Sequence, residues 1–289
     1  MHHVDVEKLK SDTVYEYHAG DGNLQRFRTL SRSKEDFSFI MLADLHGRRD
    51  RLEHILVDGK NQNADMLFLV GDIVSGMTGR GIVHDCFLDV LTDKWEKPFC
   101  YSRGNHEYRG NAPSSYFDMF AGNGKSYQAF SHKGVFFIII DTDGDVKVDT
   151  EYFDEQQEWF KNTVAGKAFE EAEYRVLLSH FPLISTDHGG GAEALRLMES
   201  ISDVHRDMFD LVLSGHIHQY MKSDPVSDTL YSTHSRWNQM KKTVHWPFPV
   251  LACEAGGFMH IEKNAGDLQV EVWGCRDNVL DRFIIPRKK

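Results

Sequence analysis

Five apolar segments of this chain each run directly into a residue of a metal-binding type. The polar residues that follow them are, in chain order, Asp44 and His46, Asp72, Asn105, His180, and His216 and His218. Short apolar runs of this kind are typical of buried strands in layered sheets. Open α/β sheets bind ligands just beyond the carboxyl ends of their strands, where the loops converge. We therefore expect these seven side chains to meet in one site.

The wider pattern supports a layered fold, because segments of strand character alternate with segments of helical spacing. Strands are predicted at residues 39–43, 66–70, 99–102, 135–140, 176–178 and 211–213. Helices are predicted after Arg48, after Gly81 and over residues 151–169. The last third has short segments separated by Gly, Asn and Asp, which we expect to be antiparallel strands: 247–252, 258–261, 268–273 and 283–285. The chain is thus predicted to be an α/β (α+β) protein with its catalytic domain at residues 36–289.

The first residues have a different pattern. Two short alternating segments, 14–17 and 24–27, flank Gly20-Asp21-Gly22-Asn23, which is typical of a β-hairpin. A polar linker follows over residues 31–36. Residues 1–35 are therefore predicted to be an N-terminal β-hairpin extension and linker.

Charge and composition exclude several classes of partner. The chain of 289 residues has 33 Lys and Arg against 44 Asp and Glu, a net charge of −11 with His neutral. Binding along a nucleic-acid backbone needs clustered basic residues, so nucleic acid is a disfavoured partner. No apolar run approaches the ~20 residues of a membrane-spanning helix, so no membrane partner is expected. The sequence leaves the oligomeric state open.

The four cysteines are Cys86, Cys100, Cys253 and Cys275, and none forms a CxxC pair. This spacing predicts neither a disulfide framework nor a thiolate zinc site. The N-terminus lacks the basic and apolar regions of a secretory signal. We expect a cytoplasmic protein as the sequence is written, and a periplasmic or secreted one if the native N-terminus is longer.

The donor types at the strand ends indicate which metals would bind. Two carboxylates, four imidazoles and one amide oxygen, without sulfur, suit Mn, Fe, Zn, Co or Ni rather than an all-oxygen Ca or Mg site. Seven ligands are too many for one tetrahedral ion, but they suffice for two ions that share one carboxylate. Two ions ~3.5–4 Å apart stabilise both the attacking and the leaving oxygen in a displacement at phosphorus. Gly71, Gly104 and Gly215 precede ligands, and we expect close packing beside the ions at these positions.

The ordered blocks resemble those of the calcineurin-like metallophosphoesterase superfamily, whose signature is DxH, GD, GNH[DE], a lone His and GHxH. In this chain they are Asp44-His46, Gly71-Asp72, residues 104–107, His180 and residues 215–218. The resemblance implies a two-sheet αββα sandwich of the metallo-dependent phosphatase type. It also implies two divalent transition-metal ions (Mn, Fe or Zn) that share Asp72. Their ligands would be Asp44, His46, Asp72 and His218 for the first ion, and Asp72, Asn105, His180 and His216 for the second.

Two branches of the superfamily come into question. Purple acid phosphatases have a β-sandwich domain before the catalytic one, and the N-terminal hairpin looks like its final two strands. Those enzymes place an iron-binding Tyr three residues after the bridging Asp, where this chain has Ser75, and they lack the His that is present here as His46. The ligand set is therefore more similar to that of the cyclic-nucleotide phosphodiesterase-like (Icc-type) branch.

The resemblance implies hydrolysis of small phosphorylated substrates, either phosphomonoesters or phosphodiesters. We expect a metal-bound hydroxide to attack phosphorus and His106 to protonate the leaving oxygen as general acid. Glu107 is expected either to orient His106 or to be a solvated acid. Arg109 and His188 are candidate substrate-binding residues, because they lie in loops near the site.

Alternative functions on this scaffold are a nuclease, which the acidic charge balance disfavours, and a non-catalytic binding scaffold. The aromatic-rich stretch from 234 to 247 is expected to be a loop that covers the late strands, with a substrate cleft as the alternative.

Overall fold

The structure is a computed structural model that describes residues 4–32, 36–121, 124–142, 150–183, 197–198, 208–223, 230–232 and 246–287. Its strands are β1 (Val14–Tyr17), β2 (Gln25–Arg28), β3 (Phe37–Leu42), β4 (Met66–Val70), β5 (Phe99–Ser102), β6 (Gln128–His132), β7 (Val135–Ile140), β8 (Tyr174–Ser179), β9 (Leu211–Ser214), β10 (Met221–Ser223), β11 (Leu230–Ser232), β12 (Val250–Ala252), β13 (Phe258–Lys263), β14 (Asp267–Trp273) and β15 (Val279–Pro286). Its α-helices are α1 (Arg49–Val57), α2 (Arg80–Val83), α3 (Asp89–Lys94), α4 (Ser115–Phe120), α5 (Thr150–Val164) and α6 (Lys167–Glu170). A 3₁₀ turn covers Asn61–Asn63, and a π-helical turn at His84–Leu88 joins α2 to α3.

Two large sheets form the centre of the molecule. One has six strands in the order β15-β14-β13-β3-β4-β5, and the other has seven in the order β11-β10-β12-β9-β8-β7-β6. Strands β3, β4 and β5 are parallel to one another, and so are β7, β8, β9 and β12. The carboxyl ends of parallel strands lie at one edge of their sheet, so the loops that leave them are brought together.

The apolar core lies between the two sheets. Alternate residues of a strand point to opposite faces, and one face of β3 contributes Phe39 and Met41 to this core. The facing sheet contributes Phe137 and Leu178 to the same core. The aromatic rings of Phe39 and Phe137 meet edge to face, with their centroids 5.2 Å apart. The two sheets therefore pack as a sandwich.

Helices cover the outer faces of both sheets. The other face of β3, with Ile40 and Leu42, packs with α1, α3 and α4. On the second sheet, Ile138 of β7 packs with Phe153 and Phe160 of α5. This layer order confirms the predicted α/β fold, a two-sheet αββα sandwich. Among the described residues, none of the helices has both the length and the apolar character needed to cross a bilayer.

The structure adds β6, β10, β11 and α4 to the predicted elements, and three further details differ from the sequence-based expectation. The late strands are antiparallel except β12, which pairs in parallel with β9 because the long intervening segment allows the chain to return in the same direction. Strand β12 begins at Val250, because Pro247 and Pro249 lack the N–H group that a ladder needs. The helix predicted over 151–169 is divided into α5 and α6, since Gly166 takes an extended conformation at φ −80° and ψ 146°.

The predicted N-terminal hairpin is present, with β1 and β2 paired in antiparallel register from Val14↔Arg28 to Tyr17↔Gln25. Tyr15 and Phe27 stack across the pair with centroids 5.4 Å apart. The backbone N–H of Arg28 donates to the carbonyl of Glu96 at 2.6 Å, which links the hairpin to the segment before β5. The division into two units at residues 35 and 36 stays a prediction.

Candidate metal centre

The seven predicted ligands lie together where strand ends from both sheets meet. The six-stranded sheet contributes the residues that follow β3, β4 and β5, which are Asp44, His46, Asp72 and Asn105. The seven-stranded sheet contributes the residues that follow β8 and β9, which are His180, His216 and His218. The shape of the site therefore depends on how the two sheets are held against each other.

One cluster consists of Asp44, His46, Asp72 and His218, whose ligand atoms all lie within 4.8 Å of one another. Nε2 of His46 lies 3.0 Å from Nε2 of His218. These nitrogens lie 3.9 Å and 3.3 Å, respectively, from Oδ1 of Asp44. Imidazole nitrogens that converge on a carboxylate oxygen form a donor set suited to a divalent transition-metal ion.

A second cluster consists of Asp72, His180 and His216, again with ligand atoms within 4.8 Å of one another. Oδ1 of Asn105 belongs with it, at 3.1 Å from Nδ1 of His216 and 3.3 Å from Nε2 of His180. Nε2 of His180 lies 3.3 Å from Oδ2 of Asp72. Asp72 is thus a member of both clusters, in the position of a shared carboxylate.

An unsatisfied buried oxygen tests whether these residues fit a metal pair. Oδ1 of Asp44 is buried and accepts no hydrogen bond from the described residues. A buried acceptor without a partner is unfavourable, and such groups are rare unless a ligand satisfies them. The other oxygen, Oδ2, accepts the backbone N–H of His216 at 2.8 Å, which fixes the orientation of the carboxylate. Together with the N and O donor set, this geometry fits a pair of divalent ions.

The charges of the two aspartates also favour a cation at this site. Burial by itself raises the pKa of Asp72, but the neighbouring His180 and His106 outweigh that effect and hold this pKa below its ordinary value. Burial lowers the pKa of His180, whereas Asp72 and Asp44 raise it more strongly, to about 9. Nδ1 of His180 donates to the backbone carbonyl of Val70 at 2.9 Å, so Nε2 is the nitrogen that faces the site. Without metal, the clusters therefore retain a proton where a cation would bind.

Most of the ligands lie on unusual backbone. Five of the nine described non-glycine residues with positive φ belong to the two clusters, with values from 50° to 69°: Asp44, His46, Asp72, His216 and His218. This left-handed region is unfavourable for residues that carry a Cβ, and such residues concentrate at functional sites. The sharp turns explain how ligands two residues apart both point into one site.

The glycines before the ligands allow the close packing that the sequence predicts. A Cβ at Gly71 would collide with the His180 ring, and a Cβ at Gly104 would collide with the carboxylate and backbone of Asp72. A Cβ at Gly215 would lie 2.5 Å from Oδ2 of Asp44. Each position therefore needs glycine because a ligand side chain fills the adjacent space.

His106 lies at the open side of the clusters. Its Nδ1 donates to the backbone carbonyl of Ser75 at 2.9 Å, and its Nε2 lies 3.9 Å from Oδ2 of Asp72. Nη1 of Arg109 donates to Nε2 of His106 at 2.7 Å. Arg109 itself is exposed. The structure thus brings the candidate acid and one candidate substrate-binding residue to the same edge of the site.

Glu107 is neither an orienting partner of His106 nor a solvated acid, so both sequence-based expectations are wrong. It is fully buried, with 0% of its surface exposed. One carboxylate oxygen accepts the N–H groups of Asp72 and Gly104 at 2.8 and 2.7 Å. The other accepts the N–H groups of Ile73 and Val74 and the hydroxyl of Tyr101. Glu107 therefore ties the loop that carries Asp72 to the loop that carries Asn105.

Two other expectations lie outside the described residues. His188, the second candidate for substrate binding, falls in the undescribed segment 184–196. Residues 234–245 of the aromatic-rich stretch fall in another undescribed segment. Of its remainder, Trp246 is buried, and its indole N–H donates to the carbonyl of Leu183 at 2.8 Å.

Sequence reasoning did not single out Arg103 and Asp141, which form a buried ion pair beside the clusters. Asp141 directly follows the apolar strand β7, just as the predicted ligands follow theirs, and this signal was available in the sequence. Arg103 directly precedes the Gly104-Asn105-His106 block.

Residues 37–220, well over half of the 289 residues, match the family profile of the calcineurin-like phosphoesterases. The chain belongs to the calcineurin-like phosphoesterase family. The matched region includes all seven residues of the two clusters together with His106.

Curated relatives of this calcineurin-like phosphoesterase include plant purple acid phosphatases. Purple acid phosphatase 21 of Arabidopsis thaliana is 26% identical over 244 residues, which cover 78% of this chain and 54% of that protein. Purple acid phosphatase 1 of Ipomoea batatas is 22% identical over 266 residues, covering 80% of this chain and 54% of the relative. The chain thus spans about half the length of the curated relatives it matches.

Solved structures share the fold of this family member at low identity. A purple acid phosphatase from seeds of yellow lupin (Lupinus luteus) superposes with a TM-score of 0.66 at 15% identity, over 97% of this chain and 61% of that one. GAP50, described as the anchor in the inner membrane complex of Plasmodium, gives 0.61 at 16% identity, over 89% of this chain and 90% of that one. At these identities the likeness extends to the fold alone.

Ser75, three residues after Asp72, is one of the two positions at which the chain is expected to differ from purple acid phosphatases. Its hydroxyl donates to the backbone carbonyl of His46 at 2.9 Å, and its own carbonyl accepts the ring Nδ1–H of His106. The residue therefore supports His46 and His106 through hydrogen bonds.

Proposed function

We propose that this chain is a metal-dependent phosphoesterase that hydrolyses small phosphate esters. The observation that carries the proposal is that two clusters of N and O donors share the carboxylate of Asp72. A shared carboxylate holds two ions at the separation needed to act on one phosphoryl group. We propose Mn, Fe or Zn as the ions, because the donor set has imidazoles and no sulfur.

When bound, two such ions polarise the phosphoryl oxygens and lower the pKa of a coordinated water towards ~7. The chain's own contribution is to hold the ligands in place before substrate arrives. Asp44, Asp72 and His180 are almost fully buried, so their side chains have little freedom to reorient. His46 and His218 are more exposed, at 20% and 49% of their side chains, and they border the side from which substrate would enter.

We assign proton donation to His106. Ser75 accepts the proton on Nδ1, so a second proton on the ring would be carried by Nε2. That nitrogen faces the clusters, at 3.9 Å from Oδ2 of Asp72. A leaving oxygen bound near Asp72 would lie within reach of this proton. Transfer from Nε2 would neutralise the alkoxide as the ester bond breaks.

We assign phosphate binding to Arg109. Its guanidinium donates to Nε2 of His106, at the edge of the site. A substrate phosphate at the clusters would compete for the same N–H groups, because charge-assisted hydrogen bonds to an anion are stronger than one to neutral imidazole. Movement of Arg109 onto the phosphate would also free Nε2 of His106 for its role as acid.

A metal count combined with ester assays tests the proposal. Protein incubated with Mn²⁺ or Zn²⁺ and then freed of excess ion is expected to retain two ions per chain. It should hydrolyse p-nitrophenyl phosphate or bis-p-nitrophenyl phosphate. Asp72→Asn should lose both ions and all ester hydrolysis, because this carboxylate belongs to both clusters. Asp118→Asn, at an exposed pair with Arg80, is the matched control and should retain both.

Three outcomes would contradict the proposal. Uptake of no more than one ion per chain would mean that Asp72 is not shared by two ions. Uptake of two ions without hydrolysis of either ester would favour a non-catalytic scaffold. Cleavage of single-stranded DNA in place of both esters would favour a nuclease.

A further inference from the structure

A buried ion pair connects the two sheets beside the metal centre. Arg103 follows β5 in the six-stranded sheet, and Asp141 follows β7 in the seven-stranded sheet. Only 5% of Arg103 and 3% of Asp141 are exposed. Charged groups are seldom buried this deeply unless they are paired and hydrogen-bonded. The pair is therefore not an ordinary surface ion pair, and its burial beside the metal clusters needs an explanation.

Asp141 binds both ends of the loop that carries Asn105 and His106. Oδ2 of Asp141 accepts Nε and Nη2 of Arg103 at 2.7 and 2.5 Å. Its other oxygen, Oδ1, accepts the hydroxyl of Tyr108 at 2.7 Å. Asn105 and His106 lie between these two attachment points in the chain. One carboxylate of the second sheet thus holds a metal-binding loop of the first.

Both partners are themselves held in fixed positions. The side chain of Gln156 in α5 accepts the backbone N–H of Asp141 and donates to its carbonyl, each at 2.7 Å. The guanidinium of Arg103 lies 3.9 Å from the ring centroid of Tyr108 and 4.4 Å from that of Phe117. Such stacking fixes the plane of the guanidinium. The pair is therefore a rigid connection between the sheets.

The second metal cluster needs such a connection, because its ligands come from both sheets. Asp72 and Asn105 follow strands of the six-stranded sheet, whereas His180 and His216 follow strands of the other. We propose that the Arg103–Asp141 pair is a positioning device that sets the place of Asn105 relative to His180 and His216, and thereby the metal affinity of this cluster. The inference rests on the proposed function, since it assumes that the clusters bind metal.

Titration of the metal-free protein with Mn²⁺ tests this role without measuring catalysis. The experiment uses a His218→Ala background, which removes a ligand of the first cluster only, so that the first cluster binds Mn²⁺ more weakly and the second cluster is titrated first. Asp141→Asn should weaken Mn²⁺ binding there about 10–100-fold, as is usual for outer partners of metal ligands. Tyr108→Phe removes the hydrogen bond to Asp141 and should weaken Mn²⁺ binding about threefold.

A second ion pair between the sheets provides a matched control. Nζ of Lys263, the last residue of β13, lies 3.2 Å from Oε2 of Glu173, which directly precedes β8. This pair connects the same two sheets at the ends of β3 and β8 opposite to the metal centre. Glu173→Gln should lower stability without changing the affinity for Mn²⁺. A merely structural role of Asp141 would give the same result as this control.

The inference is overturned if a folded Asp141→Asn protein, judged by near-ultraviolet circular dichroism, binds Mn²⁺ as tightly as its parent. It is equally overturned if Glu173→Gln weakens binding to the same degree. If Asp141→Asn does not fold, Tyr108→Phe is measured in its place. An affinity for Mn²⁺ equal to that of its parent would then overturn the inference. Failure of the proposed function has a different signature, because the protein without any substitution would then bind fewer than two ions.

Discussion

At the scale of single residues, the proposed metal ligands combine an unfavourable backbone conformation with hydrogen bonds that stabilise it. Asp44 and His46 have φ values of 55° and 50°. Their N–H groups donate to the carbonyls of Gly71 and Asp72 at 3.1 and 2.9 Å. A left-handed conformation costs about 1–2 kcal/mol for such residues, so these bonds to the neighbouring loop offset strain. The site is therefore preformed by the fold and does not depend on metal to create its turns.

His106→Ala is predicted to retain both metal ions, because His106 belongs to neither cluster. The rate on esters with poor leaving groups should fall by ~10²–10⁴, since protonation of an alkoxide is the step that His106 assists. The rate on p-nitrophenyl esters should fall much less, because p-nitrophenolate leaves without a proton. Steady-state kinetics on p-nitrophenyl and alkyl esters measures this difference. Equal losses on both would contradict the assignment of His106.

The sequence was sufficient to predict that the seven proposed ligands lie together, because this prediction depends only on the residues next to each strand. Each ligand follows its strand within a few residues, so a correct strand prediction also places the ligand at the edge of a sheet. The partners of Glu107 and Asp141 could not be assigned in this way. The partners of Glu107 include backbone N–H groups about thirty-five residues earlier, and Asp141 pairs with Arg103 across the sandwich. Such contacts depend on how loops from different strands pack, which spacing alone does not determine.

At the scale of elements, the loops after β4 and β5 fit together without room for extra atoms. Glu107 accepts N–H groups from both loops, and Gly104 lies directly against Asp72. The shared carboxylate is thus positioned by the neighbouring loop as well as by its own strand. Close packing of this kind makes the site sensitive to small changes in either loop.

Gly104→Ala is predicted to destabilise the protein and to weaken metal binding together. The added Cβ would collide with the carboxylate and backbone of Asp72 and with the His180 ring, so one of them must move. We expect a loss of about 1–3 kcal/mol in the free energy of unfolding. Gly59→Ala is the control, because no atom lies within 4 Å of a Cβ there. Urea unfolding and Mn²⁺ titration measure both effects, and an unchanged Mn²⁺ affinity for Gly104→Ala would contradict this account.

Element prediction succeeded where one segment determines its own structure and failed where pairing between distant segments decides. The apolar runs of β4 and β7 were predicted with their bounds, because a fully buried strand has a continuous apolar sequence. The direction of β12 was not predicted, because its parallel pairing with β9 depends on how the chain returns to the sheet after a long intervening segment. Strand β10 has three residues and no apolar run, so its pairing with β12 left no signal in the sequence.

At the scale of the whole molecule, the outer face of β13 contains a buried histidine that makes stability depend on pH. His260 is 4% exposed, and burial, together with the nearby Lys60, lowers its pKa from 6.5 to about 4. The unfolded chain therefore binds a proton near pH 6.5, whereas the folded protein does not until pH 4. Stability from the neutral ring is complete above pH 6.5 and is lost as the pH falls towards 4.

His260→Leu is predicted to remove the loss of stability that this histidine causes as the pH falls from 6.5 towards 4. Relative to the unsubstituted protein, the variant should gain up to about 3 kcal/mol in the free energy of unfolding between pH 7 and pH 4. Urea unfolding of both proteins at several pH values measures the difference. His18→Leu is the control, because His18 is an exposed histidine in the N-terminal hairpin. A constant difference between His260→Leu and its parent over this range would show that His260 does not titrate as proposed.

Metal binding should stabilise the whole molecule, and Asp44 provides the sharpest test of this linkage. A ligand at about 100 times its dissociation constant adds ~2.7 kcal/mol to the free energy of unfolding for each site that only the folded state forms. Two ions should therefore add about 5 kcal/mol between EDTA and saturating Mn²⁺. Asp44→Asn should lose some stability in EDTA, because the Asp44 carboxylate lies 3.3 Å from Nε2 of His218 and favours the protonated form of His180. In Mn²⁺ the same variant should gain only about half as much, since Asp44 belongs to one cluster and not to the other. An equal gain in both proteins would mean that Asp44 binds no ion. A large loss in EDTA would mean that its carboxylate supports the fold itself.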